Sequence, residues 1–404
     1  MEHLLSNRIK AMAESATLAM AAKAREFKAK GIDIISLSLG EPDFKTPKHV
    51  QDAAKAAIDE GKYFAYPPVP GYQDLREAIA EKFKRDNGLD FKAENIVVST
   101  GAKQSIANVM MAVLNPGDEV VVFSPFWVSY SELIKLGEGT PVYVDGTIEN
   151  GFKATAAQLE EAITENTKML IFSSPCNPTG AVFNRQELEA IAAVLRKHPE
   201  IIVISDEIYE YINFSERHVS IGTLEGMADR VVTVNGMSKG FAMTGWRIGY
   251  IGAPTWLAKA CTKIQGQITS GANSIAQRAA LAAIEGDMGP TEEMGKAYHH
   301  RRQLVLDLLN EIPGVKTYMP DGAFYIFPDI SAYLGTSFNG QEIATAGDLA
   351  MYILNEAHVS VVTGEAFGAP QCIRISYAAS EDDLKEAIAR IKRVLAQLEP
   401  APVA

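Results

Sequence analysis

The chain has 404 residues, 47% of them apolar and 22% charged, a globular composition with room for a large α/β domain and a smaller companion, which excludes a disordered or fibrous protein. Fifty acidic side chains against 38 basic give a formal charge of −12, and with no run of Lys and Arg to offset it a nucleic-acid partner is not expected. Cys176, Cys261 and Cys372 are far apart and form no CxxC pair, which argues against a disulfide framework or a metal site and fits a reducing cytosol.

The opening stretch "MEHLLSNRIKAMAESATLAMAAKAREFKAKG" has no uninterrupted apolar core of a signal peptide, and no later segment approaches the ~18 apolar residues of a membrane span. A cytoplasmic protein with no membrane partner is expected. From about residue 95 short apolar runs alternate with helical patterns. "NIVVS" precedes a helix over 103–114, "EVVVF" precedes a helical stretch after Trp127, and "PVYV" precedes a helix over 156–163. "KMLIFSSP", the amphipathic "RQELEAIAAVLRKH", "IIVISDEIY", "RVVTVNGMSKG" and "RIGYIGAP" continue the alternation. Runs apolar at nearly every residue suit strands covered on both faces, so a mostly parallel, doubly wound α/β sheet is expected, with ligands at the carboxyl ends of its strands. A long polar-faced helix over about 290–311 ends at "IPG". Beyond it "VKTYMPDGAFYIFP", "HVSVV" and "CIRISYA" read as strands and "EDDLKEAIARIKRVLAQLE" as a closing helix of a smaller α+β domain. The expected division is an N-terminal segment 1–45 packing with the small domain, a large domain 46–290, a linking helix 291–312 and a small domain 313–404.

Val234–Tyr250 reads "VNGMSKGFAMTGWRIGY" and contains Gly236-x-Ser238-x-Gly240. A serine hydrolase with Ser238 as nucleophile needs a helix directly after the strand. "FAMTGWRIGYIG" reads instead as another strand, although an acid and a histidine, Asp329 and His358, do follow in the order of a triad. The lysine inside the motif has more support. At a strand end Lys239 suits a Schiff base with an aldehyde cofactor, and burial lowers its pKa enough for the free amine to act as a base. Pyridoxal phosphate then needs an anion cradle, an acid facing its ring nitrogen, an aromatic plate and a donor for its phenolate.

Each part has a candidate. "STGAKQS" runs from a strand into a helix and offers the N–H groups of Gly101, Ala102 and Lys103, with an ordinary turn as the plain alternative. Arg247, eight residues after Lys239, is close enough in sequence to meet the same phosphate or to make a surface ion pair. Asp206 ends an apolar strand, where a carboxylate calls for a partner or serves as a helix N-cap, and Tyr209 follows it. Asn177 in "SSPCNPTG" belongs to a turn or faces the phenolate, and Trp127 in "SPFWVSY" plates the ring or fills the core. Arg374 in "CIRISYA" stands between apolar neighbours and suits a carboxylate bound in two-pronged fashion, with a structural salt bridge as the alternative.

"SPCNPTG", "SDEIYEY", "NGMSKGFAMTGWRIGY" and "IRISYA", in this order, resemble the class I aminotransferases of fold type I, in particular the bacterial aspartate aminotransferases of subgroup Ib. The resemblance runs from "SLGEPDFKTP" to the last helix. It implies a pyridoxal 5'-phosphate enzyme that exchanges amino groups between L-aspartate and 2-oxoglutarate in a ping-pong sequence. By the same resemblance Lys239 is the Schiff-base lysine and proton carrier, Asp206 pairs with the ring nitrogen, and Tyr209 and Asn177 pair with the phenolate. Trp127 stacks on the ring, while Arg247, Gly101, Ala102 and Ser238 hold the phosphate. Arg374, the Gly40 backbone and Asn177 bind the substrate α-carboxylate, and Tyr66 reaches the phosphate of a neighbouring subunit, implying a homodimer. Subgroup Ia binds the distal carboxylate with a second arginine near "ITSGANSIAQ", where only Arg278 occurs; in subgroup Ib the task falls to residues matching Lys103, Ser15 and Thr17. A flexible ammonium discriminates less sharply than a guanidinium fork, so prephenate, aromatic and alanine-type substrates stay open. A cofactor-dependent lyase, decarboxylase or synthase stays open too, since the reaction depends on which Cα bond is held perpendicular to the cofactor ring.

Overall fold

The computed structural model describes residues 2–215 and 217–399. Its N-terminal part contributes α1 (Asn7–Ala11), α2 (Ala16–Ala29), the short strand β1 (Ile35–Ser36), α3 (Lys48–Glu60) and α4 (Gln73–Lys82). The alternation follows as β2 (Ile96–Ser99), α5 (Ala102–Val113), β3 (Glu119–Ser124), α6 (Ser129–Leu136), β4 (Thr140–Asp145) and α7 (Ala156–Ala162). It continues with β5 (Thr167–Ser173), α8 (Arg185–Arg196), β6 (Ile202–Asp206), β7 (Val231–Gly236) and β8 (Gly249–Gly252). After α9 (Thr255–Ile268), α10 (Ser274–Glu285) and the long α11 (Gly289–Asn310) come β9 (Tyr325–Ile326) and the hairpin β10 (Thr336–Phe338) and β11 (Gln341–Ile343). The chain closes with α12 (Ala346–Tyr352), β12 (Val359–Ser360), β13 (Val362–Thr363), β14 (Ile373–Ser376) and α13 (Glu381–Leu395).

The seven-stranded sheet has the order β2-β8-β7-β6-β5-β3-β4, with β8 antiparallel to both its neighbours and the other strands parallel to one another. Alternate residues of each strand feed opposite faces. Val120 and Val122 pack with Ile106, Val109 and Leu257 from α5 and α9, whereas Val121 and Phe123 pack with Leu159, Leu188 and Ile191 from α7 and α8. Burying each such side chain contributes about 1.5–3 kcal/mol, which explains the continuous apolar runs. Reciprocal caps fix the helix starts, as at Asn184 and Glu187 on α8. A second core gathers Met20 of α2, Ile35 and Leu37, the apolar faces of α11 and α13, and β9, β12 and β14, together with Tyr209. It is knit by the parallel pair β1–β12 and the sheet β13-β14-β9.

Two sequence expectations are corrected. "FAMTGWRIGYIG" is a loop with a single 3-10 turn at Thr244–Trp246, and only Gly249–Gly252 is a strand, because Ala242 and Arg247 take positive φ angles of 50° and 59° that end extended pairing. "VKTYMPDGAFYIFP" is strand only at Tyr325–Ile326. The Asp321 and Gly322 amides donate to the Gly180 carbonyl, which draws this segment onto the turn after β5.

Behind β6 lies a buried polar cluster. Glu207 accepts from Ser205 Oγ (2.9 Å), His218 Nε2 (2.7 Å), Ser220 Oγ (2.5 Å) and Asn87 Nδ2 (3.1 Å), and Lys82 of α4, 1% exposed, donates to Glu210 and Asn87. Removing one partner of such a cluster leaves a buried charge uncompensated. The substitution Lys82→Met is therefore expected to lower the unfolding free energy by about 3–5 kcal/mol, read as a fall in urea midpoint at unchanged m; an unchanged midpoint would show that His218 alone balances the acids.

Candidate active site

The carboxyl ends of β2, β3, β5, β6 and β7 converge on a cavity of about 440 Å³, within the size range of small-ligand sites. Its wall holds Ser15, Thr17, Gly40, Ala102, Lys103, Trp127, Asn177, Asp206, Tyr209, Ser238, Lys239, Arg247 and Arg374, so most of the residues singled out in the sequence meet in one place. No histidine lines it among the described residues, so the Ser–His–acid triad of a serine hydrolase does not form around Ser238.

Lys239 follows β7. Its Nζ donates to the Gly40 carbonyl and stands 5.7 Å from the ring centroid of Tyr209. Burial lowers its pKa to about 8, the Glu41 carboxylate opposes this, and the Arg374 and Arg247 guanidiniums reinforce it. Asp206, at the end of β6, is pushed up to about 6 by burial, while the Tyr130 hydroxyl, donating to Oδ2 at 2.6 Å, pulls it down. Among the described residues its other oxygen, Oδ1, takes only a long contact of 3.3 Å from the Ile208 amide. A carboxylate held this way has room for a cationic N–H and gains from one.

Arg374, 1% exposed in β14, donates to Asn177 Oδ1 at 2.9 Å and to the Ser38 carbonyl, and its guanidinium lies over the rings of Tyr325 and Phe367 at 4.5 and 4.9 Å. Its Nε is buried with no acceptor, and no carboxylate pairs with it among the described residues, so the structural salt bridge is absent. Because Asn177 accepts through Oδ1, its Nδ2 donor stays available to the cavity. Trp127 sits beneath the Lys103 ammonium, 4.9 Å from its ring, and edge-on to Tyr130 at 5.6 Å. The Ser15 hydroxyl precedes α2 without capping it and faces the cavity together with Thr17.

The anion cradle differs from expectation in one member. The Gly101 amide donates to the Ser99 carbonyl at 2.8 Å, so it is not free, and Gly101 lies outside the cavity wall. Its glycine character serves φ = 83° and the approach of Arg247, since a Cβ there would lie 2.4 Å from Arg247 Nη2. The amides of Ala102 and Lys103, in the first turn of α5, have no intrahelical acceptor and remain as donors. A Cβ on Gly249 would lie 2.0 Å from the Ala102 nitrogen, so β8 passes directly beneath this turn only because residue 249 is glycine. Arg278 is taken up by Asp74 in a two-pronged pair at 2.5 and 2.8 Å and cannot serve the cavity. Tyr66 is 92% exposed and does not reach the cavity of its own chain. Tyr130, Tyr325, Ser38 and Glu41 were not legible as site residues. Only Tyr130 carried a signal, lying three residues after Trp127 where the chain turns into α6, its amide donating to the Trp127 carbonyl at 2.9 Å.

A family model described as "Aminotransferase class I and II" matches residues 32–391. The chain belongs to this family. It is 47% identical over 392 residues, 96% of this chain and 98% of the relative, to a probable aspartate/prephenate aminotransferase of Rhizobium leguminosarum bv. phaseoli. It is 44% identical over 392 residues, again 96% and 98%, to the aspartate aminotransferase of Bacillus subtilis (strain 168). The crystal structure of the aspartate aminotransferase from Rhizobium meliloti superposes with a TM-score of 0.94 at 42% identity, covering 98% of this chain and 99% of that one. That from Thermus thermophilus with maleate gives 0.91 at 42% identity, covering 96% and 99%. This aminotransferase is thus a pyridoxal-phosphate enzyme of fold type I that acts on amino acids and 2-oxo acids. The donor set fits that cofactor: free amides and Arg247 for a phosphate, a buried acid with an open oxygen for a ring nitrogen, and a lysine with a depressed pKa. No helix among the described residues is long and apolar enough to cross a membrane.

The depressed pKa has a direct readout. In the cofactor-free protein, labelling of Lys239 by a limiting amine reagent should rise with pH through a midpoint near 8; a midpoint near the ~10.4 of a solvated lysine would contradict the burial argument.

Proposed function

We propose that this aminotransferase moves the amino group of L-aspartate, or a similar amino acid, to 2-oxoglutarate in two half-reactions at one site. The open end of the cavity carries this reading. Lys103 has no carboxylate partner among the described residues, its ammonium is held over Trp127, and the hydroxyls of Ser15 and Thr17 face the same space. A distal carboxylate on the substrate is the complementary group. The relatives lend support, since the Bacillus subtilis enzyme is named for aspartate and the Thermus thermophilus structure carries maleate, a four-carbon dicarboxylate. Prephenate is the second reading, favoured by the name of the Rhizobium leguminosarum relative, and it too brings a second carboxylate.

Bound in the cavity, pyridoxal phosphate supplies an aldehyde for the amino group and a ring that withdraws the electron pair left when the Cα proton departs. In this proposal Asp206 faces the ring nitrogen, Tyr209 and the Asn177 amide donate to the phenolate oxygen, and Trp127 covers the ring. Ala102, Lys103, Ser238 and Arg247 hold the phosphate. Arg374, oriented by Asn177 and assisted by the Gly40 backbone, binds the substrate α-carboxylate as a fork. The fork sets which Cα bond faces Lys239, whose free amine would carry the proton from Cα to the cofactor's aldehyde carbon, and in the opposite direction in the second half-reaction. Closing the segments 1–45 and 313–404 onto 46–290, about the helix 291–312, would keep water from the deprotonated carbon. The same reading has a cytoplasmic homodimer in which Tyr66, solvent-facing in its own chain, serves the phosphate site of a neighbouring subunit.

Half-reaction spectroscopy with aspartate, glutamate, alanine and phenylalanine, and with prephenate as acceptor, tests the substrate class. Aspartate should react much faster than alanine, and equal rates would rule out the dicarboxylate reading. In Lys103→Ala, KM for aspartate should rise about ten- to hundredfold while that for alanine stays within about twofold, the loss of one charge-assisted contact.

A further inference from the structure

Tyr325 is fully buried in β9 and lines the cavity. Its hydroxyl lies 2.7 Å from the hydroxyl of Tyr209, and the Arg374 guanidinium lies 4.5 Å over its ring. Those two neighbours come from different sheets. Tyr209 follows β6 of the seven-stranded sheet, whereas Arg374 stands on β14, which pairs antiparallel with β9. The hydroxyl is also fitted against Gly40, where a Cβ would lie 2.2 Å from it, and the Gly40 carbonyl holds Lys239. One phenol therefore touches a cofactor-facing donor, the carboxylate-binding arginine and the backbone that holds the lysine.

The proton count gives the pair a direction. A tyrosine has a single O–H. If Tyr209 spends it on the cofactor oxygen, Tyr209 must accept in its pair with Tyr325, and Tyr325 must donate. A hydrogen bond received at its oxygen polarises the Tyr209 O–H and makes it a stronger donor. The ring contributes separately, because the buried Arg374 has no carboxylate partner among the described residues and the π face of Tyr325 offsets part of its desolvation. We propose that Tyr325 is a positioning residue that ties the carboxylate-binding Arg374 to the cofactor-facing Tyr209, its ring serving as the platform for the guanidinium and its hydroxyl as donor to Tyr209. This rests on the roles of Tyr209 and Arg374 in the function proposed above.

The two halves separate by mutation of the holoenzyme. Tyr325→Phe keeps the platform and removes the donor. KM for the amino acid should stay within about twofold, kcat should fall about three- to tenfold, and the pH midpoint of the bound cofactor's visible absorbance should rise, because a weaker Tyr209 donor stabilises the phenolate less. Tyr325→Leu removes both, and KM should rise as well, by about three- to thirtyfold. The double variant Tyr209→Phe/Tyr325→Phe should match Tyr209→Phe alone within about twofold, since the hydroxyl acts only through Tyr209. Gly40→Ala, which drives the hydroxyl aside without altering Tyr325, should raise the absorbance midpoint too and answers for Tyr325→Phe should that variant fail to fold. Unchanged kcat and midpoint in Tyr325→Phe, an unchanged midpoint in Gly40→Ala, or additive losses in the double variant overturn the tie. A wild-type protein that binds no pyridoxal phosphate overturns the functional reading itself, which is a different result.

Discussion

A carboxylate at the end of an apolar strand has to be kept charged away from water, and the site is arranged around that constraint. Burial pushes Asp206 up to about 6, and the Tyr130 hydroxyl restrains the rise from one side while the other oxygen is left nearly open. The open oxygen leaves room for a cationic N–H, which would gain from the carboxylate. The opposite imbalance holds at Lys239, where burial favours the neutral amine. One desolvated cavity thus raises the acid and lowers the base, and the lowered base has its free amine within reach near neutral pH, the condition a general base requires.

The cavity exists because chain segments pass closer than side chains allow. Gly249 lets β8 run beneath the turn that opens α5, Gly101 admits the Arg247 guanidinium, and Gly40 leaves room for the Tyr325 hydroxyl. In each case hydrogen stands where a methyl group would lie 2.0 to 2.4 Å from its neighbour. Each glycine thus sets the distance between segments that border the cavity.

The strand end is held from behind as well. Glu207, next to Asp206, is gripped by Ser205, His218, Ser220 and Asn87, and Glu210 by Lys82 and Asn87. The bend from Asp206 to Tyr209 is therefore clamped between a buried ionic cluster on one side and the second core, which includes Tyr209, on the other. Asp206 and Tyr209 are thereby held from two sides without needing a contact with each other.

Apolar runs at nearly every residue required strands covered on both faces, and the observed sheet has that form. Asp206 and Arg374 were legible because each is a charged group at the end of or within an apolar strand, where it needs a partner, whereas Lys239 stood out as an amine at a strand end and Asn177 as part of a turn motif; all four line the cavity. Spacing along the chain was silent on contacts between distant segments. That the Gly101 amide is spent on Ser99, that Tyr130 supports Asp206, and that Tyr325 lies between Tyr209 and Arg374 are facts of three-dimensional closure. The chain alone therefore determined which polar groups must be buried together, because desolvation acts on each residue type wherever it lies. Which partner each one takes depended on packing, because a hydrogen bond is made or lost within tenths of an ångström and only the folded chain sets that distance.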